Sequence, residues 1–158
     1  MTRFVGAAFL CLITSQALAG APPKLALFDF TLTNTSPAAS TPEELARLKQ
    51  LDTQLRQAMQ ERYSFVDMAP ATGLLARVDS IRGCNGCELE IGQSLGADQV
   101  AYGWVQKVSN LILNVNLVIE DSKTGQVLHA QSVDMRSNTD DSWHRGLRYL
   151  LNERMFPQ

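Results

Sequence analysis

Histidine is nearly absent from this chain, with two residues in 158, and cysteine is scarce, with three. A tetrahedral metal site therefore has few donors to draw on. His129 and His144 stand at no ligand spacing relative to each other or to the cysteines. Positive charge is not in surplus either: 14 Lys and Arg face 16 Asp and Glu, for a net charge of -2. That disfavours a nucleic-acid binder of the basic-patch kind. The chain has no G-x-S-x-G elbow for a serine nucleophile, no G-x-G-x-x-G or P-loop for nucleotides, and no EF-hand loop. No apolar run reaches the roughly 20 residues that a spanning helix needs. Charged residues make up 19% and hydrophobic residues 45%, a balance that fits one globular domain and not a disordered chain.

What is present begins with an address. Arg3 supplies a short basic region, Phe4–Ile13 an apolar run, and Ala17-Leu18-Ala19 a small-x-small cleavage pattern. Residues 1–19 read as a signal peptide and 24–156 as a single domain. Cys11 lies in the apolar run after Phe9 and Leu10, not after small residues, so it is expected to leave with the leader. The expected compartment is the bacterial periplasm.

The mature part reads β, α, β, α, then three strands, then α. Lys24–Thr31 (KLALFDFT) is expected as a strand buried on both faces, with Asp29 the odd residue in it. Thr41 caps a helix whose first position is Pro42 and whose Glu44 can complete a capping box. Leu45, Leu48, Leu51, Leu55 and Met59 give it one apolar face. Tyr63–Met68 reads as a short strand, parallel to the first because a helix joins them. Glu88–Leu95 reads as a helix ended by Gly96.

Asp98–Ser109 alternates, with Val100, Tyr102, Trp104 and Val108 on one side. Leu111–Glu120 alternates with Leu111, Leu113, Val115, Leu117 and Ile119 together. Ser109-Asn110 joins these two strands as a hairpin, and the turn at Gly125 leads to a third strand, Gln126–Met135. A last helix starts near Thr139. The fold class is therefore α/β (α+β): one domain, a mixed sheet of about five strands with a C-terminal antiparallel meander, covered by helices. An exposed strand edge is possible in such a sheet, and dimerisation through it would cost little.

Few residues carry chemistry. Cys84 and Cys87 form a C-x-x-C just before a helix. It reads first as a local disulfide, then as a redox dithiol activated by the helix N-terminus, and last as half of a metal site. Glu88 after the second cysteine excludes haem attachment. Asp29 must be paired, protonated or at a strand end. Lys107 and Asn110 stand at a hairpin tip, where contacts are common. Trp143 and Arg145 flank the polar start of the last helix, with Trp143 read as an exposed-edge aromatic. These five residues are the candidate interaction set. No catalytic residue, cofactor or metal is assigned, and the chain is read as more a binder than an enzyme.

Ala26–Thr31 (ALFDFT), Leu95–Val127 and Asp134–Leu151 together resemble a family of short secreted bacterial proteins known only as a domain of unknown function. The strand-plus-DF opening and LGAD-x-V-x-x-G-x-V at 95–105 also resemble the N-terminal domain of TolB and the periplasmic domain of CsgG. That resemblance implies an α/β module that docks on other envelope proteins. The chain lacks TolB's propeller and CsgG's pore-forming segments, so neither whole function carries over. The expected function is a non-catalytic periplasmic adaptor with an envelope or periplasmic protein as partner. A thiol-disulfide protein using Cys84 and Cys87, or a small-ligand or metal carrier, are the alternatives.

Overall fold

The computed structural model describes residues 20–157. The expected signal peptide, with Cys11, lies outside the described residues. The strands are β1 (Lys24–Leu27), β2 (Thr31–Asn34), β3 (Ser64–Phe65), β4 (Gln99–Lys107), β5 (Leu113–Asp121) and β6 (Val127–Met135). The helices are α1 (Pro42–Met59), α2 (Thr72–Leu75), α3 (Cys87–Ser94) and α4 (Asp140–Tyr149), which runs on into a π-helical segment, Leu150–Met155. Short 3₁₀ turns occupy Ala69–Ala71 and Ile81–Gly83. The strands make one mixed sheet in the order β3-β1-β4-β5-β6, with β2 also beside β4. β1 runs parallel to β3 and β4, while β4, β5 and β6 form the expected antiparallel meander. Among the described residues the sheet has six strands, where about five were expected.

The extra strand comes from a break in Lys24–Thr31, which was expected to be continuous. Leu27 lies opposite Ala101 and Thr31 opposite Trp104, so four steps on one strand match three on the other. One surplus residue makes a bulge, and side-chain parity changes across it. Phe28 therefore packs with Ala26 and Val100, whereas Phe30 packs with Leu25 and Leu27 on the opposite face. Asp29, between them, is turned out to solvent. The Phe30 ring needs Gly103: a Cβ there would lie 2.3 Å from Phe30 Cε1. Asp52 of α1 closes the gap in the ladder, its Oδ1 accepting the Phe30 N–H at 2.7 Å.

Helices cover both faces of the sheet. α1 starts as its sequence dictates, with Thr41 and Glu44 in a complete capping box and Pro42 in the first turn. Leu48, Leu51, Leu55 and Met59 pack beside Trp143, Leu147 and Leu150 of the last helix to form the main core. Leu45 differs from expectation and is exposed. α3 and the turns before it cover the smaller core of Phe28, Ala71, Ile91 and Val100. Gly96 and Gly125 both have positive φ, at 70° and 68°, where their turns require it.

In β4 Val100, Tyr102 and Trp104 share one face, as expected, whereas one facing in β5 differs. In β4 the face against α1 carries Ala101, Gly103, Val105 and Lys107, all buried, whereas Tyr102 and Trp104 lie half-buried on the other. Small residues sit under the helix because Phe30 fills the space above them. In β5 the ladder begins at Leu113, opposite Lys107. Leu111 therefore belongs to the hairpin tip and not to the apolar face.

Candidate functional site

The buried face of β4 ends in a lysine. Lys107 follows Ala101, Gly103 and Val105 at alternate positions, so the pleat carries its side chain into the core, where it is 2% exposed. A lysine so placed must find an anion. Glu44, 0% exposed, supplies it, with Nζ–Oε1 at 2.5 Å. The Asn138 side-chain amide donates to the same Oε1, and the Thr41 N–H donates to Oε2 at 3.0 Å. Asn138 Oδ1 accepts from the Trp143 indole N–H at 3.0 Å and from Arg47 Nη1 at 3.2 Å. Arg47 Nε in turn donates to Asp140 at 2.6 Å. The start of α1, the end of β4 and the start of α4 are thus joined by one polar network.

Burial works against the Glu44 charge, but the Lys107 ammonium, the Thr41 N–H and the Asn138 amide outweigh it. The carboxyl is held below its usual range, so the pair is ionic at neutral pH. Above the network lies an open cleft of about 380 Å³, lined in part by Ala38, Thr41, Asn110, Ser137 and Thr139. The caps of α1 and α4 both border it. Their first turns already carry Glu43, Glu44, Asp140 and Asp141, which match the positive helix ends.

Asn110 of the cleft belongs to the hairpin tip, Val108–Ile112. Val108, Leu111 and Ile112 are 44%, 70% and 61% exposed. The tip is nonetheless held in place. Ser109 Oγ accepts from the N–H groups of Leu111 and Ile112 at 3.2 and 3.1 Å. Asn110 binds Asn138 twice, its carbonyl accepting the backbone N–H at 2.9 Å and its Oδ1 the side-chain amide at 3.2 Å. Three apolar side chains are so presented on a loop that Asn110 ties to the polar network.

Lys107, Asn110 and Trp143 therefore meet at one place. Two of them do so differently from expectation. Lys107 is not a surface cation, because strand parity turns it inward. Trp143 is not exposed, because it fills the core with only its N–H turned to Asn138. Arg145 lies elsewhere, on the open side of α4, paired with Asp141 at 2.9 Å. Asp29 sits at the bulge, 3.9 Å from Arg56, over a separate cleft of about 300 Å³ lined by Phe28, Met68, Leu75 and Ile81. Its neighbour Asp52 is the more perturbed carboxyl, pushed up to about 6 mainly by burial and further by the Asp29 charge. The Phe30 N–H and Arg56 oppose that rise.

Sequence reasoning missed Glu44, Asn138 and Arg47 as partners of Lys107. One signal was available: a lysine in phase with Val105 on a core-facing strand requires a buried carboxylate.

Cys84 and Cys87 are joined in a disulfide with Cα atoms 5.6 Å apart. Cys87 is the first residue of α3, after Gly86 at φ 106°. Ligand-type atoms of Cys84, Cys87 and Glu88 lie within 4.8 Å of one another, but bonded sulfurs offer no thiolates. His129 packs edge-on against Phe156 at 5.1 Å, a structural contact.

Among the described residues no helix is long and apolar enough to cross a membrane. No curated protein matches the chain in sequence. Several solved structures are similar in fold. The LpoB C-terminal domain from Salmonella enterica has 13% identity and a TM-score of 0.55, over 75% of this chain and 87% of that one. Lipoprotein GNA1162 from Neisseria meningitidis has 17% identity and a TM-score of 0.50, over 75% and 84%. A PelC dodecamer from Paraburkholderia phytofirmans has 15% identity and a TM-score of 0.50, over 92% and 96%. At such identities the likeness speaks for the fold alone, and it does not single out TolB or CsgG. In sequence, residues 23–155 match the model of DUF3280, described as "Protein of unknown function (DUF2380)", and the chain belongs to that family.

Proposed function

We propose that this protein is a non-catalytic binding module of the bacterial envelope that docks on another envelope protein through the β4–β5 hairpin tip. The observation that carries the reading is the exposed set Val108, Leu111 and Ile112, on a tip that Asn110 ties to Asn138 of the Glu44–Lys107–Asn138 network. Full burial of each such side chain contributes about 1.5–3 kcal/mol. A loop already held in its bound shape loses little further freedom on docking. The network's role is to hold the tip, not to react, because its ionic groups are buried and mutually paired. The signal-peptide pattern of residues 1–19 supports an exported protein, and the fold is shared with a protein described as a lipoprotein.

The test is a double variant, Leu111→Asp with Ile112→Asp, in the mature protein. Both side chains are largely in solvent, so the circular dichroism spectrum and melting temperature should stay as in the parent. Crosslinking in cells from a photoreactive group placed at Val108 should give one dominant envelope adduct, lost in the double variant. An adduct that survives the two aspartates, or steady turnover by the protein alone, would sink the proposal.

A further inference from the structure

The tip is one end of the sheet, and its side offers a second surface. β6 is the last strand in the sheet order and pairs only with β5. A strand in that position presents unpaired N–H and C=O groups along its outer side. Proteins usually blunt such an edge with Lys, Pro, a bulge or very short length. Here one bulge interrupts the register between Ile119 and Glu120, where Leu128 is the surplus residue. Beyond it, His129–Met135 (HAQSVDM) runs in unbroken register with no Lys, Arg or Pro. The backbone of this stretch has no bond to any other segment than β5 among the described residues.

We infer that the outer edge of β6 pairs antiparallel with β6 of a second copy, extending the sheet across a two-fold axis at Ser132. This goes beyond the docking role of the hairpin tip and uses a different surface. Three observations favour a second copy over an unrelated strand. First, Ser132 is the midpoint of the unbroken stretch, so a two-fold pairing there uses all of it. Second, that register is self-compatible: Asp134 falls opposite Ala130, His129 opposite Met135, and Ser132 opposite itself. No like charges meet. Third, the surface beside the edge carries both signs in balance. A groove of about 360 Å³ runs between β6 and α4 and is lined by Asp134, Arg136, Arg145 and Tyr149. Asp141 pairs with Arg145 along it. A patch with matched acids and bases complements its own image about a two-fold axis. Tyr149, half exposed, adds apolar area to the groove lining.

The experiment is sedimentation equilibrium of the mature protein over a wide concentration range, with two variants on the solvent side of β6. Ser132→Lys sets two ammonium groups face to face at the axis. It is expected to weaken dimerisation by about fivefold or more. Ala130→Lys sets each new ammonium opposite Asp134 of the partner and is expected to leave the dimer as strong or stronger. Both positions are exposed, so each variant should keep the parent melting temperature at low concentration. Hydrogen exchange at 129–135 should slow in step with dimer population. A parent protein that stays monomeric up to the solubility limit overturns the inference. So does a dimer indifferent to Ser132→Lys, or an assembly larger than two. Loss of the apolar tip should leave this dimer unchanged, which separates failure here from failure of the docking role.

Discussion

Lys107→Met removes one partner of a buried ion pair while keeping most of its volume. The Glu44 carboxylate then stays in a fully enclosed position with no counter-ion. Breaking a buried pair from one side costs about 3–5 kcal/mol. The Thr41 N–H and the Asn138 amide still donate to Glu44, which places the expected loss near the lower end, about 3 kcal/mol. For a domain of this size that is a fall in melting temperature of about 10 °C. The loss should also depend on pH. In the parent, Glu44 is held below its usual range, so its contribution persists at neutral pH and fades only as pH falls through that lowered value. In the variant, burial without the ammonium raises the Glu44 pKa above its unfolded value, and stability then falls as pH rises through that window. The gap between parent and variant is therefore largest near neutrality and shrinks on acidification. Urea unfolding at about pH 7.5 and about pH 5 measures it. A gap below about 1 kcal/mol at neutral pH would refute the reasoning, as would one of equal size at both.

Asp52→Asn should stabilise the protein at neutral pH. The folded Asp52 pKa is raised from 3.8 to about 6, so the native state holds a proton that the unfolded chain has lost in that interval. Stability therefore declines as pH rises from about 4 to about 6 and stays lower above it, by about 3 kcal/mol from the shift alone and about 1–2 kcal/mol once solvent screening of the half-buried carboxyl is included. The Asn Oδ1 keeps the Phe30 N–H bond without the charge, so denaturation curves of variant and parent should separate above pH 6 and converge in acid. Equal stability at pH 8 would count against it. Replacing both Cys84 and Cys87 by Ser should cost about 2 kcal/mol, the modest contribution of a short loop closure. Partner capture through the tip should be unaffected. A Cys84–Cys87 reduction potential between about −120 and −270 mV would contradict the structural role and favour redox chemistry.

The elements whose ends are set by local chemistry were legible in the sequence. Thr41, Pro42 and Glu44 fix the start of α1 within a few residues of chain, and Gly96 and Gly125 fix two turns through backbone conformation alone. The meander was legible because its alternation is regular and its connections are short. The break at Asp29 was not, since KLALFDFT has the pattern of one buried strand and the surplus residue shows only against β4. Nor was the polar network. Lys107 meets Glu44 across 63 residues of sequence, and Asn138 meets it across 94. Each residue had a sufficient local reading, as tip, cap or helix start, and only the sheet's parity brings the three together. Trp143 stands in a polar stretch and reads as an exposed edge, yet its ring is in the core and only its N–H meets the polar start of the helix.

The one-residue excess between Leu27 and Thr31 constrains how this family can vary. Loss of a residue there would not shorten a loop. Loss of Asp29 would turn the bulge into regular strand, with Phe28 and Phe30 at successive positions and each still on the face it now occupies. Length changes in the segment from Thr35 to Ser40 likewise leave the register untouched, since β2 ends at Asn34. Gly103 and Phe30 are bound to each other in the same way: a side chain at 103 is compatible with the fold only where position 30 has become small. Gaps in related sequences should therefore fall at Asp29 or after β2, and spare Phe28 and Phe30. A substitution at either member of the Phe30–Gly103 pair should be inherited together with a change in the other.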